Sequence, residues 1–311
     1  MSFTQQEKAH HFRALHQGRH AFVIANAWDA GSARILAGLG FTAIATSSGA
    51  AAGVLGRRDG RISREEALAH CRAIVSATDL PVSADLENGF GDAPSDAAKT
   101  ILMAAEAGLV GGSIEDFSGN PDAPLYPLSQ AALRVAAAVE AARSLPFPFT
   151  LTARSENYLR GNPDLDDTIA RLQAFEKAGA DVLFAPGLPD LATVRSVCSA
   201  VGKPVNFMVG IRGKSFSLAE LEAVEVVVVA HRPDVCRMVR IPPSENGTSR
   251  SKRWCAPWRL WQIACPAGRR RCLGKRAALQ AVSPRPLVSP PAPSPPPPAP
   301  PSRGRALARR W

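Results

Sequence analysis

Between residues 22 and 207, seven short β-branched or apolar runs alternate with longer stretches of helical period. Phe22–Ala25 leads into a helix over Ala30–Gly38, and Thr42–Ala45 is the next strand. Ser63 followed by Glu65 and Glu66 has the form of a helix start, running to about Thr78, before the strand Pro81–Ala84. Helices are then predicted over Ser95–Ala107, Ser129–Ser144, Asp164–Ala178, Leu188–Ala200 and Ser217–Ala223, with strands at Gly112–Ile114, Phe149–Thr152, Asp181–Phe184 and Pro204–Phe207. Such alternation dictates an α/β fold with a parallel sheet. Polar residues choose between an open doubly wound sheet and a closed (β/α)8 TIM-type barrel. They follow nearly every strand: Asn26 and Asp29, Ser47 and Ser48, Asp85 and Glu87, Glu115 and Asp116, Arg154 and Glu156, Asn206. A barrel draws its site from all strand ends around one mouth, whereas an open sheet uses one switch point. The barrel is therefore expected. No G-x-G-x-x-G follows the first strand and no P-loop occurs.

The charge is distributed unevenly. Of 37 Lys and Arg, 17 lie in 231–311 beside two acids, so residues 1–230 hold 20 bases against 25 acids. Sixteen of 27 prolines, four of six cysteines and four of five tryptophans also fall after residue 230. Two domains are therefore expected: a barrel over 1–230 and a basic, Pro- and Arg-rich disordered tail over 231–311. Val224–Ala230 is an apolar run able to imitate an eighth strand, but no helical period follows it. The last βα unit is accordingly expected to be defective or missing. An out-of-frame translation from near residue 224 would account for every change at once, and sequencing the coding DNA across that point tests it. No run of eighteen apolar residues and no apolar leader is present, which points to a cytoplasmic protein without a membrane partner. Cys71 and Cys198 are expected buried and reduced. Cys236, Cys255, Cys265 and Cys272 include no C-x-x-C pair, so a zinc ribbon is not supported.

The segment Ala84–Gly91 is the most informative. Asp85 and Glu87 stand at i and i+2 at a strand end, and Glu115 and Asp116 close the following strand. Oxygen donors converging on one mouth suit Mg²⁺, with Mn²⁺ as an alternative. Read singly, the same acids are solvated turn residues or caps. Arg154 offers a two-point fork for a carboxylate or phosphonate, and a salt bridge to Glu156 or Glu115 is the equal alternative. Ser47, Ser48 and Gly49 form a turn able to hold a carboxylate. His10, His11, His16, His20 and His70 lack ligand spacing and are read as structural or exposed.

Asn26–Ala30, Thr46–Ala50, Leu55–Asp59, Asp85–Gly91, Ser113–Asp116 and Ala153–Glu156 occur in order at successive strand ends. Together they resemble the isocitrate lyase/phosphoenolpyruvate mutase superfamily over roughly residues 5–225. The resemblance implies a (β/α)8 barrel that binds Mg²⁺ and makes or breaks a C–C or P–C bond beside a 2-oxo acid. It implies Asp85 as metal ligand, with Glu87 and Glu115 acting through water. It implies Ser48 and Gly49 for the substrate carboxylate, Arg154 for its carboxylate or oxo end, and Asp59 as a gate contacting the transferring group. Ser47 and Asn206 complete the expected substrate-binding set. The small partners implied are dicarboxylates, 2-oxo acids or phosphonates, in a homo-oligomer whose last helices pack between subunits.

Two departures follow. The loop Asp116–Tyr126 lacks the Cys and His of isocitrate and methylisocitrate lyases. Phe184–Gly187 stands where the mutases carry a histidine, so the chain resembles the phosphonomutase-like branch. Motifs leave open C–C cleavage, P–C hydrolysis, P–C rearrangement and oxaloacetate decarboxylation. The alternative function is an impaired barrel whose tail binds nucleic acid by phosphate neutralisation and stacking, or an SH3-type partner by its proline run. Against nucleic acid stands the absence of any patterned basic face or recognised motif.

Overall fold

A computed structural model describes residues 3–18 and 20–231. Eight parallel strands close into a barrel in chain order: β1 (Phe22–Asn26), β2 (Ile44–Ala45), β3 (Val82–Asp85), β4 (Gly111–Glu115), β5 (Thr150–Arg154), β6 (Val182–Phe184), β7 (Val205–Val209) and β8 (Val226–His231). The helices are α1 (Gln5–His16), α2 (Ala30–Gly38), α3 (Ser48–Val54), α4 (Arg64–Val75), α5 (Pro94–Glu106), α6 (Leu128–Arg143), α7 (Leu165–Lys177), α8 (Leu191–Ala200) and α9 (Leu218–Glu222). Caps set several starts: Asp29, Ser63 and Ser217 each accept from the N3 amide of the helix they open.

Two helices were not expected. α1 is polar along most of its length but buries Ala9, Phe12 and His16, and Thr4 and Glu7 form its capping box. α3 reads as a turn in sequence because Ser48-Gly49 opens it, yet Ser47 caps it and Ala50–Ala52 are buried.

The expectation of a defective or missing last unit is corrected at the strand. β8 pairs with both β7 and β1, with Val228 opposite Phe22 and Ala230 opposite Ile24, so the barrel closes. Strand pairing requires only β-branched residues with free backbone edges, and Val226–Val229 supply them. A final helix, the tail and its expected disorder, and the tail's thiols and possible partners all lie outside the described residues. Among the described residues no helix is long and apolar enough to cross a membrane.

Strand alternation builds the site. Ile44, Val82, Ala84, Ile114, Leu151, Ala153, Leu183, Val205, Phe207 and Val229 are buried in apolar clusters with the surrounding helices. The intervening residues Ser83, Asp85, Ser113, Thr152, Arg154 and Asn206 line the interior instead. Barrels are commonly filled there by branched aliphatics. Small and polar side chains instead leave a cavity of about 610 Å³ running from the mouth to Phe12 and His16 of α1.

Candidate active site

Asp85 ends β3 at the mouth. Its Oδ2 accepts from the Ser48 amide (3.2 Å) and hydroxyl (3.1 Å), and its Oδ1 accepts from the Glu87 amide at 3.2 Å. Its own amide donates to Thr46 Oγ1 at 3.2 Å. The motif turn after β2 therefore reaches directly across to β3.

Arg154 ends β5 and opposes Glu115 in register. Its guanidinium lies 3.7 Å from Asp85 Oδ2 and 3.5 Å from Glu115 Oε2, and it hydrogen-bonds Glu156 Oε1. The salt-bridge reading of Arg154 holds, and the same side chain lines the cavity. Arg160 meets the same two acids, at 3.5 Å from Glu115 Oε1 and 2.9 Å from Glu156 Oε2, with its guanidinium 3.5 Å above the Phe117 ring. Two guanidiniums and two buried carboxylates alternate in a ring. Burial lowers the proton affinity of Arg154, but Glu156, Glu115 and Asp85 outweigh it and hold Arg154 above its ordinary value. Burial, then repulsion from Glu156, holds Glu115 well above the usual carboxylate range in spite of Arg154.

Asp116 faces away from Arg154. It accepts from the Glu156 amide (2.8 Å) and from Arg171 (3.1 Å), while burial pushes it up to about 6. Asp116 and Arg171 fix the backbone of the loop that carries Glu156. Neither Arg160 nor Arg171 was singled out in the sequence. The signal for Arg160 was its i,i+4 spacing from Glu156 just past a strand end.

Glu87 has φ +50°, and its Oε1 is buried without a hydrogen-bond partner among the protein atoms. Burial and the charges of Asp85 and Asp59 push it up to about 7. An orphaned carboxylate oxygen beside two further acids fits a cation. Among the described residues no group of three or more His, Cys, Asp or Glu is arranged to hold a metal ion by itself, so an ion here would rely on one or two carboxylates and its own waters, as Mg²⁺ does.

The remaining expected residues surround the same cavity. Ser47, Ser48, Gly49, Asp59 and Asn206 all line it. Ser47 Oγ caps α3, accepting from Ala50 N at 3.4 Å. The Asp59 carboxylate stands over Gly49, where an added Cβ would lie 3.5 Å from its Oδ2. Asn206 Oδ1 accepts from the Ala230 amide at 3.2 Å beside a register shift between β7 and β8, leaving its amide nitrogen as the donor for a ligand. His16 lines the floor of the cavity and donates from Nδ1 to the Phe12 carbonyl (2.8 Å), consistent with a structural role.

A closed parallel barrel with acids, a half-buried arginine and a Ser-Gly turn gathered at its C-terminal mouth has the site architecture of TIM-barrel enzymes. The chain belongs to the phosphoenolpyruvate phosphomutase family, whose sequence profile matches residues 12–240, and thus to the isocitrate lyase/phosphoenolpyruvate mutase superfamily. It is similar to a crystal structure from Burkholderia cenocepacia J2315 described as a lyase/mutase, at 56% identity and TM-score 0.72, covering 73% of this chain and 81% of that one. A phosphonomutase-like structure from the same organism is 37% identical, at TM-score 0.67 over 74% and 92%. The 2-methylisocitrate lyase of Escherichia coli K12 is 32% identical over 66% of this chain and 70% of its own length.

Proposed function

We propose that the chain is a Mg²⁺-dependent lyase that breaks a C–C or P–C bond beside the carbonyl of a small 2-oxo acid. One observation carries this reading: the Asp85 carboxylate and the Arg154 guanidinium face each other 3.7 Å apart at the mouth of the cavity. Asp85 would hold the ion directly, with Glu87 and Glu115 acting through its waters. The ion would supply Lewis-acid stabilisation of the negative charge that develops on the substrate's carbonyl oxygen.

Arg154 is held rigid by Glu115 and Glu156, so its fork is already oriented for a carboxylate or an oxo group. Ser47, Ser48 and Gly49 line the side of the cavity from which a substrate carboxylate would be held, and Asn206 offers its free amide. Asp59, on the exposed loop between α3 and α4, would close over Gly49 and exclude water.

Among the described residues the cavity lining contains no cysteine, and its one histidine lies at the floor. This fits reactions that need no thiol or imidazole as proton donor, such as those whose product carbanion is protonated by water. In decarboxylation of a 2-oxo dicarboxylate, the C–C electron pair moves toward the carbonyl, CO₂ leaves, and water returns one proton to carbon. A relative named as an oxaloacetate decarboxylase, 29% identical over 65% of this chain, supports the same choice.

The test is a panel of oxaloacetate, phosphonopyruvate, 2-methylisocitrate and 2,3-dimethylmalate with Mg²⁺, followed by pyruvate release. Turnover of a panel member that Asp85→Ala abolishes is expected. Full activity in Asp85→Ala, or no turnover of any member, overturns the reading.

A further inference from the structure

We propose that Arg134 and Tyr126 are positioning residues for the cation site, holding the strained segment after β3 in the conformation that delivers the Glu87 carboxylate beside Asp85. The inference rests on the functional reading above and adds residues that touch neither ion nor substrate.

The segment is costly to form. Glu87 (φ +50°), Gly89 (φ +85°) and Phe90 (φ +57°) all adopt the left-handed region, and two of the three carry side chains. Gly89 has no room for one, since a Cβ there would lie 2.8 Å from Ala97 Cα of α5. On the mouth side the Glu87 backbone is fixed by its amide on Asp85 and by its carbonyl, which accepts from the Glu115 amide at 2.9 Å. Something else must hold the far side.

That something is a set of donors from the outer helices. The Arg134 guanidinium of α6 donates to the carbonyls of Asn88, Asp92 and Ala93. Arg64 of α4 donates to those of Gly89 (3.1 Å) and Phe90 (3.3 Å), and Thr100 of α5 to Gly89 at 2.8 Å. Tyr126 lies under Arg134, with its ring centroid 4.5 Å from the guanidinium carbon. Its hydroxyl donates to Asp92 Oδ1 (2.6 Å) and accepts from Asn88 Nδ2 (3.0 Å), tying together both ends of the bend.

Arg134 is 1% exposed, and among the described residues it makes no ion pair within bridging distance. A buried cation held by carbonyls and an aromatic face, with its Nε left unpaired, is expensive to keep, and its fork spans carbonyls five residues apart. A lysine offers one point charge and could not reach all three. The fork's geometry therefore matches the segment it holds.

The test uses full-length Arg134→Lys and Tyr126→Phe, with Leu172→Ala in α7 as a general destabilisation control. Mn²⁺ affinity is measured without substrate by electron paramagnetic resonance and calorimetry, beside thermal midpoints in chelator. Loss of an outer support typically weakens metal binding about 10- to 100-fold. A loss in that range is expected for Arg134→Lys and a smaller one for Tyr126→Phe, with Leu172→Ala less stable but unchanged in affinity. Should Arg134→Lys not fold, Tyr126→Phe, which keeps its packed ring, decides alone. Unchanged affinity in the folded variants, or an equal loss in Leu172→Ala, overturns this inference and leaves the functional reading standing. Wild-type protein with no Asp85-dependent Mn²⁺ site overturns both.

Discussion

Replacing Arg154 by Gln probes the ring of charges most directly. The substitution leaves Glu115 and Glu156, which are 7% and 0% exposed, without one of their two guanidinium partners, and removes the cation 3.7 Å from Asp85. Breaking one partner from a buried ion pair costs about 3–5 kcal/mol, because the stranded carboxylate stays desolvated. Arg160 still reaches both acids, at 3.5 and 2.9 Å, so the lower end, about 3 kcal/mol, is expected. At about 2–4 °C per kcal/mol for a domain of this size, the midpoint should fall by about 6–12 °C. Calorimetry and urea titration in chelator at pH 8 read this without interference from bound metal. The double variant Arg154→Gln/Glu156→Gln should recover at least half of the loss, because it removes the stranded charge as well. A loss below about 1 kcal/mol in the single variant, or no recovery in the double, would refute the argument that these charges depend on one another.

Three further outcomes are expected. Glu225 sits left-handed at φ +64° in the α9–β8 turn, where the α2–β2, α5–β4 and α7–β6 turns place Gly40, Gly108 and Gly179. Glu225→Gly should therefore raise stability by about 1 kcal/mol in urea titrations, and a decrease would show that the side chain contributes more than the backbone strain costs. A Cβ at Gly111 would lie 2.7 Å from Phe12 and 3.0 Å from the Thr150 carbonyl, whereas one at Gly38 in α2 meets nothing within 4 Å. Gly111→Ala should cost about 1–3 kcal/mol by overpacking and Gly38→Ala should be neutral or stabilising, with equal effects arguing against tight packing at the barrel floor. Burial lowers the proton affinity of His16 in the folded state, so the unfolded chain binds the proton more readily. Stability is full above the unfolded-state value near ~6.5 and is lost as the pH falls below it toward the depressed folded value. Wild type should therefore lose more stability than His16→Gln between pH 7.5 and 5.5, and parallel losses would contradict the assignment.

Much of the architecture was legible because period and punctuation agree. Ala30–Gly38 matched α2 residue for residue, and Asp29 and Ser63 announced their helices as caps. α1 was hidden because its few apolar residues meet the barrel floor rather than forming a broad stripe, and a seven-residue α3 opening on Ser-Gly carries almost no local signal. The eighth strand was legible only as an apolar run, since β-pairing demands so little of a sequence. Asp85, Glu115 and Arg154 could be placed because a strand end fixes where a side chain points, whereas Glu87 lies past β3 at φ +50°, where strand alternation no longer sets its direction. Arg160, Arg171 and Arg134 could not. Arg160 and Arg171 each have one acid four residues away, but the contacts that tie them to Glu115 and Asp116, and Arg134 to the segment after β3, span 41 to 55 residues and depend on tertiary packing.

The most direct test of the central claim is a crystal of the wild-type protein grown with Mn²⁺, read by anomalous scattering. One anomalous peak coordinated by an Asp85 oxygen, with Glu87 and Glu115 reaching it through water beside Arg154, is the predicted result. No peak at the barrel mouth, or one held elsewhere while Asp85 stays bonded to Ser48 alone, would contradict the account.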